Sequence, residues 1–173
     1  MSGIWFENAI VTYNGVEKTI VIYGELPVGL DGIAVTVSYT GIATNVSETE
    51  IVATFATESE NYETPEAMTA TLRIVPKYIQ VTANDVEAVY GEAEKELTYS
   101  VNGLIGDDSL TGSLVREAGD DVGTYAILLG TLSAGGNYKI EFTPATYTIS
   151  PAESVIDVSE IQLTYTYNGE IQT

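Results

Sequence analysis

Three sets of landmarks recur along the 173-residue chain at a spacing near 76 positions. Asn61-Tyr62 returns as Asn137-Tyr138, and the run from Ala70 to Pro76 returns as Ala145 to Pro151. Tyr13-Asn14-Gly15 returns as Tyr167-Asn168-Gly169, with Tyr90-Gly91 midway between them. A fixed period of this length means that each repeat is one structural unit, so the fold must be one that roughly 75 residues can close into a core. The chain therefore divides into a first β repeat (1–77), a second (78–151) and the opening strands of a truncated third (152–173).

Within each unit the pattern is that of strands. No long window places apolar residues at i, i+3, i+4 and i+7 among helix formers. Short alternating runs dominate instead, such as Val35 to Tyr39, Leu97 to Val101, Tyr138 to Phe142 and Tyr147 to Ile149. Alternation turns one set of side chains to a core and the other to solvent. Regularly spaced short strands with Gly, Asn and Asp between them predict two tandem, small, immunoglobulin-like β-sandwich domains. A β-grasp-like sheet with a short helix is the alternative. Pro76 and Pro151 close equivalent Ile-x-Pro strand ends, because proline cannot donate to a ladder. The next strand, from Tyr78 to Thr82, begins almost at once, and so short a join restricts bending between neighbours.

Composition narrows the chemistry. Twenty-five acidic residues against six basic ones leave a net charge of −19, which should repel nucleic acid and anionic membrane surfaces. There is no Cys and no His, so disulfides, thiolate zinc sites, imidazole ligands and Ser-His-Asp triads are all excluded. The chain is nevertheless 45% hydrophobic with 12 Tyr, a composition that builds a core rather than a disordered tail. No apolar run is long enough to cross a membrane as a helix, and membrane insertion is not expected. Met1-Ser2-Gly3 lacks a secretory signal pattern, and the chain is expected to be a piece of a longer protein.

The run Asp121-Val122-Gly123-Thr124-Tyr125-Ala126-Ile127 resembles the D-x-G-x-Y-x-C segment of immunoglobulin-type domains, with Ile127 at the Cys position. Tyr125 and Ile127 share a strand face, and the isoleucine fills the core without a disulfide. Repeat one has only Ser47 to Phe55 in the corresponding stretch. Repeat two further resembles the MBG domain of YGX type, with Val89-Tyr90-Gly91-Glu92, Leu97 to Leu104 and Gly106 to Gly112. The likeness continues through Arg116 to Gly119, Asp121 to Ile127, Gly130-Thr131-Leu132 and Asn137-Tyr138. Repeat one and the tail resemble a sister module. The resemblance implies tandem arrays in large bacterial surface or secreted proteins, many of them adhesin-like, and it supplies no catalytic residues. Tyr90, Gly91, Asp121, Gly123, Tyr125, Ile127, Asn137 and Tyr138 are expected to be structural landmarks.

Other chemistry has thin support in the residues. Asp107-Asp108 and Asp120-Asp121 lie beside Gly and could offer calcium its oxygens, but Asp and Gly are also what turns use, and no EF-hand spacing is present. Paired carboxylates could serve a glycosidase, but small repeats leave little room for a walled cleft. No spacing singles out a Lys–Asn isopeptide trio. Trp5 breaks the repeat, since Ser159 stands at its counterpart, and a core or seam role is expected for it over a sugar-stacking one. No enzymatic activity, catalytic residue, metal or cofactor is expected. The expected role is a spacer whose partners are the neighbouring repeats of its parent chain. A binding module for host glycan or glycoprotein is the competing reading, with a loop between Glu48 and Thr64 as the place where the repeat would break. The tail is expected to add a strand to an exposed edge and to bridge two molecules into a weak dimer favoured by salt.

Overall fold

The computed structural model describes residues 3–154. They form thirteen strands and no helix, so the chain is all-β and the helix-bearing alternative does not apply to the described residues. Pro76 stands between two groups of strands, and among the described residues no sheet draws strands from both sides of it. The strands expected around Val155 to Val158 and Ile161 to Tyr167, and the dimer contact assigned to them, lie outside the described residues.

Before Pro76, β2 (Ala9–Thr12), β6 (Met68–Val75), β5 (Ser47–Ala56) and β4 (Thr36–Thr40) make a sheet in that spatial order. A two-stranded ladder of β1 (Ile4–Trp5) and β3 (Tyr23–Gly24) accompanies it. After Pro76, β8 (Val86–Val89), β13 (Ala145–Ser150), β11 (Gly123–Leu128) and β10 (Val115–Arg116) repeat the four-stranded order. A second sheet there has β12 (Tyr138–Thr143), β7 (Lys77–Ala83) and β9 (Tyr99–Asn102).

Register carries the repeat into the backbone. β2 runs parallel to β6 with Ala9 opposite Leu72, and β8 runs parallel to β13 with Val86 opposite Tyr147. Ile51 pairs with Ala70, and Ile127 pairs with Ala145. Both isoleucines are fully buried, so Ile51 does for repeat one what Ile127 does for repeat two. The entry to each parallel pair is capped alike. The Thr71 N–H donates to Asn8 Oδ1 at 2.8 Å, and the Thr146 N–H donates to Asp85 Oδ1 at 2.8 Å.

Before Pro76 the core joins Ile51 and Leu72 of the four-stranded sheet to Phe6 and Ile20, which lie outside the strands, and after it Ile79 and Val81 of one sheet meet Ile127 and Tyr147 of the other. Two local expectations change. β9 is exposed along its whole length despite its alternating sequence, because among the described residues it lies at a sheet edge and pairs only with β7. Trp5 is 56% exposed rather than in the core, paired across the ladder with Tyr23, which is also exposed.

The halves differ at one element. Counting back one period from β12 reaches Tyr62 to Ala67, and no strand forms there. Pro65 lies in the middle of that stretch and removes a ladder donor. The break in the repeat therefore falls at Tyr62 to Ala67 and overlaps only the last three residues of the stretch singled out as Glu48 to Thr64, most of whose length is β5.

Candidate functional site

Two constellations gather the sequence landmarks. The first is built around Arg116 on β10. Its Nε donates to Glu94 Oε1 at 2.9 Å, Nη1 to the carbonyls of Glu117 at 3.0 Å and Gly119 at 2.6 Å, and Nη2 to Asp120 Oδ1 at 3.1 Å. The guanidinium carbon also lies 4.9 Å from the centroid of the Tyr147 ring and 5.4 Å from that of Tyr125, within the range of cation–π attraction. The Asp120 hydrogen bond holds the Arg116 pKa above its already high ordinary value, against a smaller opposing effect of burial, and Glu94 adds to it.

Tyr125 is fixed from its other end. Its hydroxyl donates to the Asp121 carbonyl at 2.9 Å, a tyrosine-corner bond of the kind immunoglobulin-type domains use. Two residues on, Ile127 fills the core between the sheets. A cleft of about 280 Å³ runs alongside, lined by Tyr90, Gly91, Glu92, Glu94, Arg116 and Asp120. Its only cation is Arg116, and that guanidinium is already spent on two carboxylates and two carbonyls. The cleft therefore presents carboxylate edges and an exposed Tyr90 rather than a receptor for anions.

The second constellation is the seam between the halves. Asn137 Oδ1 accepts the Val46 N–H at 2.9 Å, and Asn137 Nδ2 donates to Asn45 Oδ1 at 2.9 Å. Tyr138 donates its hydroxyl proton to Asp108 Oδ2 and accepts the Ile105 N–H at 3.2 Å. Tyr13, from the other half, donates to the same Asp108 oxygen at 3.3 Å and meets the Tyr138 ring edge-on, with centroids 5.3 Å apart. Burial, reinforced by the Asp108 carboxylate, pushes the Tyr138 pKa up to about 12.

The landmarks expected from the sequence thus divide. Asp121, Gly123, Tyr125 and Ile127 belong to the tyrosine corner, Asn137 and Tyr138 belong to the seam, and Tyr90-Gly91 lies exposed at the cleft mouth. Sequence reasoning named Arg116 only as part of the family likeness and not as a hub of hydrogen bonds, and it considered Asp108 for calcium rather than as the shared acceptor. Of the paired acids considered for calcium, Asp108 is held by tyrosines, Asp120 by arginine, and Asp121 supports Tyr125 through its carbonyl. Among the described residues no three acidic side chains converge as a metal site would require.

This arrangement defines a class, that of all-β proteins built from end-to-end repeats. Residues 79–148 match the family model of the MBG domain of YGX type, in agreement with the resemblance read from the second repeat. That family is a repeat domain of surface proteins. No curated protein matches the chain.

Proposed function

We propose that the chain is a non-enzymatic spacer segment of a bacterial cell-surface or secreted adhesin-like protein, working outside the cell to hold other parts of its parent at a distance. The observation that carries this reading is the seam. Asn137, Tyr138 and Asp108 grip Tyr13, Asn45 and Val46 across the Pro76 join, so successive repeats are fixed rather than loosely strung. A stalk needs that stiffness, and the even spread of negative charge keeps it soluble and extended.

One observation favours a second reading. Trp5 and Tyr23 face solvent as a cross-strand pair, and two exposed aromatic faces suit the apolar face of a sugar ring. In that reading the segment binds host glycan or glycoprotein. A glycan array with the purified chain tests the two together. The spacer reading expects no saturable binding, whereas saturable binding abolished by Trp5→Ala would overturn it in favour of recognition.

A further inference from the structure

The seam joins two unlike faces. The first repeat supplies Tyr13, Gly15 and Val46, and the second supplies Ile105, Asn137 and Tyr138. Because the repeats correspond, each also carries a copy of the face that its neighbour uses. Tyr90 stands where Tyr13 does, since the Tyr13 N–H donates to Val75 O at 2.9 Å and the Tyr90 N–H donates to Ser150 O at 2.8 Å. Val122 directly precedes β11 as Val46 directly precedes β5. On the receiving side Tyr62 stands for Tyr138. Its hydroxyl accepts the Leu30 N–H at 3.0 Å, just as that of Tyr138 accepts the Ile105 N–H.

The copies differ in exposure. Tyr13 is 7% exposed and Tyr90 52%, while Tyr138 is 8% exposed and Tyr62 43%. Ile105 is half-buried, and Leu30 is 100% exposed. The glycines of the two turns agree. A Cβ on Gly15 would lie 3.1 Å from Ile105, whereas one on Gly91 would meet nothing within 4 Å among the described residues. Around Tyr62 a recess of about 240 Å³, lined mainly by apolar side chains such as Val28, Ile33 and Pro65, opens where the missing counterpart of β12 would begin. Apolar surface of this kind gains free energy when covered.

We propose that the Tyr90 end and the Leu30–Tyr62 face are complementary docking surfaces, and that a second copy of this chain joins the first end to end through them. Tyr90 of one molecule takes, against Tyr62 and Leu30 of the next, the place that Tyr13 takes against Tyr138 and Ile105. The two faces are different, so the contact is heterologous and extends into open chains rather than closing as a dimer. This inference rests on reading the chain as a repeat of an array, in which the same faces would join neighbours along one polypeptide. In trans the contact is weaker than the seam. Asp31, the neighbour of Leu30 on the receiving face, is already engaged by the Ser59 hydroxyl and the Ile33 N–H instead of a tyrosine pair. Both partners are also strongly negative.

Sedimentation equilibrium at millimolar protein in about 1 M salt, where the Debye length falls to about 3 Å, tests the proposal. The chain should form a concentration-dependent series of oligomers, and Tyr62→Ala and Tyr90→Ala should each be monomeric with unchanged far-UV spectra. Mixing the two variants should restore association that stops at the dimer, because only one intact pair of faces remains. A monomeric parent chain, or oligomers that survive either substitution, would overturn the proposal. So would association lost on deleting residues 152–173 yet indifferent to Tyr62→Ala, since that would place the contact in the tail. The glycan array decides the spacer reading separately, and its outcome does not alter these masses.

Discussion

Tyr125 and Tyr138 are both landmark tyrosines, yet they hold the fold by different means. Tyr125 spends its hydroxyl on a backbone carbonyl four residues back, so Tyr125→Phe removes one hydrogen bond and leaves the ring against Arg116. A loss of about 1 kcal/mol is expected, read as a lower urea midpoint at unchanged slope. Ile127→Ala acts on packing instead, and at a fully buried site it should cost about 2–5 kcal/mol in the same assay. Tyr138 brings a pH dependence. Its folded pKa of about 12 lies above the unfolded value near 10. The folded state therefore holds the phenolic proton more tightly, chiefly because burial opposes the phenolate. That contribution to stability is complete below about pH 10 and is lost as pH rises through about 12. Tyr138→Phe should be less stable at neutral pH, because Asp108 and the Ile105 N–H lose a partner. It should also show a shallower decline at alkaline pH, measured as urea midpoints across that window.

Elements show where local sequence decides structure and where it does not. The alternation of Tyr138 to Phe142 and the recurrence of Ala70 to Pro76 at Ala145 to Pro151 place β6, β12 and β13, and the fully buried Ile127 lies where the D-x-G-x-Y run puts it. Pairing partners are another matter. Period-two alternation is the same in parallel and antiparallel ladders, so nothing in β2 or β8 announces that it runs parallel to a strand 60 residues or so away. Pro65 was readable as a strand breaker, yet its consequence, the lost counterpart of β12, needed the register of the other repeat to see. The caps of the parallel pairs offer a test at this scale. Asp85 accepts the Thr146 N–H and hydroxyl, and those bonds, the backbone one foremost, hold its pKa below the ordinary carboxylate value. A lowered folded pKa adds stability that is present above the unfolded pKa and lost as pH falls through the folded one. Asn8 does the same task in repeat one with an uncharged amide. Asp85→Asn should therefore keep the fold, lose a little stability at neutral pH, and converge on the parent as the pH is taken below the carboxylate range, followed by thermal melts.

At the scale of the whole molecule the seam turns two small repeats into one folding unit. A core of ~75 residues is marginal alone, because such domains bury little more than about 60% of the surface their unfolded chains expose. Pro76 marked the seam in the sequence, but not what would meet across it. Tyr13 and Asp108 are 95 positions apart, and no local pattern links residues at that distance. The same contacts make a prediction about cooperativity. Tyr13 is buried between its own repeat and Tyr138, and its hydroxyl reaches a carboxylate of the other half. With the seam intact, neither half unfolds without exposing the other's tyrosine, so calorimetric and van't Hoff enthalpies of the chain should agree. Tyr13→Ala empties the centre of the seam and should lower the stability of the first half by about 3 kcal/mol, the cost of truncating a buried aromatic. The second half loses only its partner. The single calorimetric peak should then split into two, with the first repeat melting earlier and the sum of the two enthalpies close to that of the parent. A single peak displaced as a whole would mean that the halves are coupled by something other than the Tyr13–Asp108–Tyr138 contact.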